Sequence, residues 1–268
     1  MKLQDKVVIV TGGGGGIGSA MGRRFAAEGA RAIVLADRDL ARAEAAALAI
    51  GGGARAVACD VADDGAVRAL LDEVEAREGT IDLYCSNAGI GTGIGVEAGD
   101  DAWNEVWRVN LMSTVVAARH LVPRWVERGG GYLLVTASAA GLLTSLGDAA
   151  YSATKHAAVG LAEWLSITYG DRGIKVSCLC PQGVRTNMTM SAEAEGKLGI
   201  EQVRALGMIE PDEVAAAVVE GLDDERFLIL PHPQALEYFR NKAENYGRWL
   251  GGMRKFHRQL SQGGRTQP

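Results

Sequence analysis

Apolar residues along this chain come in short runs separated by segments of helical periodicity. Runs of strand length, rich in Val, Ile and Leu, cover 6–10, 31–36, 55–59, 81–86, 132–137, 174–180 and 226–230. Between them the spacing predicts helices over 17–28, 40–50, 64–78, 102–126, 151–169 and 211–222. The 102–126 segment reads as one helix, with Pro123 at the start of its last turn or at a kink. Continuous apolar runs mark strands covered on both faces, and strands joined by helices make a parallel, doubly wound sheet. The expectation is an α/β fold of about seven strands with helices on both faces of the sheet. Ligands then bind at the carboxyl ends of the strands, near the point where strand order reverses.

No linker, composition break or internal repeat interrupts 1–230, which reads as one domain. Residues 231–268 read as a helical extension of it. After Pro231-His232-Pro233, the residues Phe239, Ala243, Tyr246, Leu250, Met253, His257 and Leu260 recur at alternating steps of three and four, and Trp249 and Phe256 widen the stripe. This predicts a helix to about Leu260 that packs on its own subunit, packs on a partner or roofs a substrate cleft. Residues from Ser261 on read as a loose end.

Hydrophobic residues make up 47% and charged residues 23%, an ordinary balance for a soluble globular chain. A net charge of −5 without a long basic run excludes non-specific nucleic-acid binding as a function class. Met1-Lys2-Leu3-Gln4-Asp5-Lys6 lacks the signal-peptide pattern, and no apolar run is long enough to span a bilayer. Cys59, Cys85, Cys178 and Cys180 fall in or at the ends of strand runs. Cys178 and Cys180 share a strand face without a second ligand pair, so buried reduced thiols are favoured over zinc. His232 and His257 stand alone, and no metal is expected. Together these features place the protein in the cytoplasm.

The first strand runs into Thr11-Gly12-Gly13-Gly14-Gly15-Gly16-Ile17-Gly18, and a helix follows. In that context the glycines let the backbone approach a pyrophosphate, with Gly12, Gly16, Ile17 and Gly18 at the start of the helix. The second strand ends at Asp37, a carboxylate placed to bond the ribose hydroxyls of an adenosine and repel a 2′-phosphate. It also suits a helix N-cap. Arg38 follows and suits a 2′-phosphate. NAD is the expected cofactor, with NADP as the alternative.

Further on, Ser138 precedes Tyr151 and Lys155, which stand four residues apart and so share one helix face. An unperturbed phenol titrates near ~10, and a neighbouring ammonium favours the phenolate. Such a pair is a candidate acid–base group near neutral pH.

T-G-x-x-x-G-I-G at Thr11–Gly18, N-A-G at Asn87–Gly89, and Ser138 with Y-x-x-x-K at Tyr151–Lys155 together resemble the short-chain dehydrogenase/reductase superfamily, in its simple single-domain branch. The resemblance spans Met1 to about Leu230 in the expected order. It implies a Rossmann-like fold and hydride transfer between a nicotinamide and a secondary alcohol or ketone. Tyr151 would be the general base in oxidation and the acid in reduction. Lys155 would lower its pKa and hold the nicotinamide ribose, and Ser138 would hydrogen-bond the substrate oxygen. The resemblance further implies that Asp60 and Val61 contact the adenine, and that Asn87, Ala88 and Gly89 stabilise the sheet and line the cofactor. Asn110 would hold a water beside Lys155; taken alone it would read as a helix-interior residue bonding its own backbone. Homo-oligomers built through the 102–126 and 151–169 helices are also implied.

The chain departs from the pattern P-G-x-x-x-T at Pro181-Gln182-Gly183-Val184-Arg185-Thr186, where glutamine replaces the first glycine. Proline and threonine stay in place; the resemblance implies that Pro181, Val184 and Thr186 bind the cofactor, with Thr186 still able to bond the nicotinamide carboxamide. Gln182 alters loop geometry, points into the substrate cleft or has no role. The substrate loops are 90–96, 139–150 and 187–208. Leu142, Leu143, Leu146, Met188 and Met190 are candidate pocket residues, and Arg185 and Lys197 are the cations that would have to turn inward to clamp an anion. A mostly apolar secondary alcohol or ketone is expected. The competing readings are an NADPH-dependent carbonyl reductase and a non-catalytic dinucleotide-binding sensor.

Overall fold

In the computed structural model, which describes residues 1–194 and 198–263, the chain begins with β1 (Val7–Thr11), α1 (Gly16–Ala27), β2 (Ala32–Asp37), α2 (Leu40–Ile50), β3 (Ala54–Ala58) and α3 (Asp64–Glu78). Then come β4 (Leu83–Ser86), α4 (Asp100–Trp107), α5 (Ser113–Glu127), β5 (Gly131–Thr136), α6 (Ala149–Tyr169) and β6 (Ile174–Leu179). The last part holds β7 (Gly183–Val184), α7 (Asn187–Ala194), α8 (Leu198–Leu206), β8 (Met208–Ile209), α9 (Pro211–Asp223), β9 (Leu228–Ile229), α10 (Gln234–Glu244) and α11 (Tyr246–Gly263).

Every residue of β1 is buried, as a strand covered on both faces requires. Its neighbours are parallel, and the seven-stranded sheet runs β3-β2-β1-β4-β5-β6-β9. Order reverses between β1 and β4, which is the switch point where such sheets bind ligands. Successive side chains of a strand point to opposite faces. Val7 and Ile9 accordingly join a core with Val67, Leu121, Trp125 and Leu165 from α3, α5 and α6. Val8 and Val10 join a second core with Met21, Phe25, Ala43 and Val218 from α1, α2 and α9. Trp125 is fully buried and donates its Nε1 proton to the Ile81 carbonyl at 2.8 Å, so its polar end is satisfied.

Three regions differ from the sequence expectation. The 102–126 segment is helical throughout, as expected, but not uniformly α: α4 passes into a five-residue π-helical turn at Arg108–Met112 before α5. Asn110 sits in that turn, and π-turns of this kind recur at functional sites. Second, the described residues of the 187–208 loop include two helices, α7 and α8. Third, the C-terminal stripe forms two helices. Asn245 leaves helical geometry, and its side chain accepts from Arg248 N at 2.9 Å, capping α11 as α10 ends. β9 is shorter than the 226–230 run: Leu228 and Ile229 stand in register with Cys178 and Leu179 on β6.

The C-terminal extension folds back on its own chain. Lys242 is buried, and its ammonium donates to the carbonyls of Leu142 at 2.6 Å and Leu143 at 3.2 Å. It also lies over the rings of Tyr246 and Trp249 at 5.4 and 4.9 Å. α11 in turn contacts α8. Among the described residues no helix is long and apolar enough to cross a membrane.

Candidate active site

The carboxyl ends of the central strands open on a cavity of about 470 Å³, within the ~300–1,000 Å³ usual for small-molecule sites. Gly12, Gly16, Ile17 and Gly18 form one wall. Gly12 has φ +62°, and a Cβ on Gly18 would lie 2.2 Å from the Gly12 oxygen, so the turn tolerates no side chain there. The Gly15 N-cap offers no side-chain bond to α1, and no acid stands in its first turn. By contrast, Asp39, Asp63 and Asp148 cap α2, α3 and α6. The amide groups at the start of α1 are thus left for an anion, and they line the cavity.

Asp37 and Arg38 line the same cavity at the end of β2. Asp37 accepts from Gly14 N and from Asp39 N, both at 3.0 Å, so it also fixes the glycine loop. Asp60 and Val61 follow β3, and Asn87, Ala88 and Gly89 follow β4. Asn87 donates to the Thr11 carbonyl at 2.9 Å and accepts from Thr136 Oγ1 at 3.2 Å, which ties the ends of β1, β4 and β5 together. Pro181, Val184 and Thr186 close the far wall. The donor set, an uncapped helix start with a carboxylate at the end of the second strand, suits a dinucleotide.

Ser138, Tyr151 and Lys155 meet in this cavity. The α6 helix brings Tyr151 and Lys155 onto one face, with Lys155 Nζ 5.5 Å from the Tyr151 ring centroid. Nζ donates to the Thr136 carbonyl at 2.9 Å, and among the described residues no carboxylate pairs with it. Burial pushes Lys155 down to about 8. Burial also raises the Tyr151 phenol above its ordinary value; hydrogen bonding with Ser138 opposes this, and the Asp148 carboxylate adds to it. The lowered phenol expected from Lys155 is therefore not what the protein alone produces. Burial is the largest cause, and the Lys155 ammonium is turned toward the Thr136 carbonyl.

Asn110 lies behind the cavity and is buried. Its amide accepts from Ile90 N at 2.8 Å and donates to Ile90 O at 2.9 Å and to Thr154 Oγ1 at 3.3 Å. It clips the loop after β4 to α6 and does not bond its own backbone.

A second cavity, of about 330 Å³, shares Ser138, Tyr151, Gln182 and Met188 with the first. Leu143 also lines it, while Leu142 joins the core and Leu146 and Met190 are not among its lining residues. Ile200, Val203 and Leu206 from α8 complete an apolar side that the sequence did not reveal. Arg185 is half exposed and pairs with Glu210 at 2.7 Å, so it clamps no ligand; Lys197 lies outside the described residues.

The profile of short chain dehydrogenases matches residues 6–197. The chain belongs to that family. A meso-2,3-butanediol dehydrogenase of Serratia marcescens is 35% identical over 232 residues, covering 85% of this chain and 92% of that one. A D-threitol dehydrogenase of Mycolicibacterium smegmatis is 35% identical over 225 residues, covering 81% and 86%. A short chain dehydrogenase/reductase from Burkholderia phymatum, solved in complex with NAD, superposes with a TM-score of 0.84 at 28% identity, covering 91% of this chain and 95% of that one. These relatives make this short chain dehydrogenase an oxidoreductase of CH–OH groups.

Two positioning residues of this short chain dehydrogenase were not singled out by sequence. Asp148 is buried and accepts from Tyr151 N (3.0 Å), Thr92 N (2.8 Å) and Gly93 N (2.7 Å). One carboxylate thus caps the helix carrying Tyr151 and holds the 90–96 loop over it. An aspartate three residues before Tyr151 is an N-cap signal that sequence offers. Gln202 accepts from Leu146 N at 2.7 Å and donates to Thr144 O at 3.3 Å, joining α8 to the loop after Ser138. No local pattern announces that contact.

Proposed function

We propose that this short chain dehydrogenase interconverts a secondary alcohol and a ketone with NAD(H), and that Tyr151 takes and returns the proton. The observation that carries the reading is the junction of the two cavities, where Ser138 and Tyr151 line both. A dinucleotide in the larger cavity and a substrate in the smaller one would meet at those side chains.

The start of α1, with Gly12, Gly16, Ile17 and Gly18, would hold the pyrophosphate. Asp37 would bond the adenosine ribose, Asp60 and Val61 would contact the adenine, and Asn87, Ala88 and Gly89 would line the path inward. Lys155 would hold the nicotinamide ribose, with Pro181, Val184 and Thr186 beside the carboxamide. Bound there, the nicotinamide supplies the hydride acceptor in oxidation and the donor in reduction.

In oxidation Tyr151 accepts the alcohol proton; in reduction it gives one to the ketone oxygen. Ser138 donates a hydrogen bond to that oxygen, where charge develops. Asn110 uses both amide protons on protein partners and keeps an acceptor position on Oδ1. A Cβ on Gly89 would lie 3.3 Å from this Oδ1 and 3.4 Å from Lys155 Nζ. A water between the two would relay protons to Lys155. Trp164 and Ile167 on α6 are 54% and 82% exposed, which supports a homo-oligomer through that helix.

Arg38 and Arg42 also line the cofactor wall, and this favours NADPH-dependent carbonyl reduction as the second reading. Titration with both nucleotides and a screen of secondary alcohols by nicotinamide absorbance decide between them. The expected result is reduction of NAD in preference to NADP. Preference for NADP supports the second reading, and tight binding without turnover of any substrate overturns both in favour of a sensor.

A further inference from the structure

Gln182 stands where the family pattern has glycine, on the wall shared by both cavities. The preceding residue, Pro181, accepts from Ala139 N at 2.8 Å and from Ser138 Oγ at 3.4 Å, so Gln182 is fixed next to the serine of the site. Its own amide is oriented from the C-terminal extension. Gln182 Oε1 accepts from Gln234 Nε2 at 3.2 Å. Its main-chain N–H donates to His232 Nδ1 at 3.2 Å, which leaves Nε2 of His232 as the protonated nitrogen, donating to Gly183 O at 3.0 Å. Burial holds His232 below its ordinary pKa, in keeping with this neutral form.

With Oε1 engaged, Nε2 is the donor left over. It is buried, and it is the one such side-chain nitrogen or oxygen without a hydrogen-bond partner among the described residues. A buried donor left unmet is destabilising, and it calls for an acceptor. In the smaller cavity the other amide, Gln202, and the carboxylate of Asp148 are both committed to the backbone.

We propose that Gln182 is a specificity-determining residue whose Nε2 donates to a second oxygen of the substrate, a hydroxyl or carbonyl neighbouring the reacting carbon. The substrate class is then α-hydroxyketones, diketones and the matching vicinal diols. Nε2 is enclosed, so meeting a ligand takes rotation of the terminal amide, a torsion with a broad energy well. Arg185 is paired with Glu210 and an amide is neutral, so the site suits a neutral oxygen rather than a carboxylate. This inference rests on the alcohol–ketone reading and narrows it.

The test compares matched ketones that differ by one hydroxyl: acetoin against butanone, and hydroxycyclohexanone against cyclohexanone. The wild-type enzyme is expected to show a KM about tenfold lower for the hydroxylated member of a pair, the order expected of one added hydrogen bond. Gln182→Ala and Gln182→Gly are expected to raise that KM about tenfold and leave the plain ketone's KM and both kcat values within about twofold. An equal rise for both members points to loop geometry and overturns the proposal, as does no change for either. Wild-type failure on both pairs also overturns it, while turnover of other ketones then leaves the alcohol–ketone reading standing.

Discussion

Tyr151→Phe is expected to lower turnover by about 10³–10⁴-fold, near the upper range of general acid–base catalysis. NAD affinity is expected to stay within about twofold, since the ring that lies 5.5 Å from Lys155 is kept and only the hydroxyl is lost. The fold is expected to survive, because Asp148 caps α6 through the Tyr151 main-chain N–H, which phenylalanine retains. Steady-state rates and an equilibrium titration of the same preparation check both halves. Turnover close to wild type would remove Tyr151 from the chemistry. With Tyr151 as the proposed acid–base group, its protonation sets the sign of the pH dependence, and burial moves the range upward. Reduction uses the protonated phenol, so its rate falls as pH rises through the phenol's pKa. Oxidation uses the phenolate, so its rate climbs over the same range.

The second large effect belongs to Asp37. On the proposed reading, Asp37→Ala removes two acceptor oxygens from the adenosine end and a negative charge that would repel a 2′-phosphate. Hydrogen bonds to a charged group contribute about 1.5–3 kcal/mol, so NAD affinity is expected to fall roughly 10- to 100-fold. Asp37 also holds Gly14 N, and disturbing that loop would weaken both nucleotides alike. The informative readout is therefore the ratio of affinities. Loss of the charge beside Arg38 and Arg42 is expected to shift that ratio toward NADP. A ratio unchanged by the substitution would leave Asp37 with a loop-holding role alone.

Much of the site was legible in the sequence because its chemistry is written locally. The glycine loop between a strand and a helix, Asp37 at the next strand end, and Tyr151 with Lys155 one helical turn apart all depend on short spacings. All of them line one cavity. What stayed hidden depends on distant contacts. Asn110 is expected beside Lys155 through the family resemblance, but the π-turn that carries it and its pairing with Ile90 are not announced by its neighbours in sequence. Gln182 meets His232 and Gln234 about fifty residues along the chain. α7 carries no clear apolar stripe in N-M-T-M-S-A-E-A, so 187–208 reads as loop. The C-terminal heptad reads as one helix because Asn245 fits a helical spacing, although its side chain caps the next helix. The raised Tyr151 phenol of the protein alone was not legible for a related reason: a nearby lysine is visible in sequence, but burial is a property of the folded wall.

The most direct test of the central claim follows the hydride itself. A secondary alcohol carrying deuterium on the carbinol carbon is turned over with NAD, and the reduced cofactor is analysed by mass spectrometry. The account predicts that the reduced nicotinamide carries one deuterium from each alcohol oxidised. Reduced nicotinamide without the label, formed while the alcohol is consumed, would contradict it.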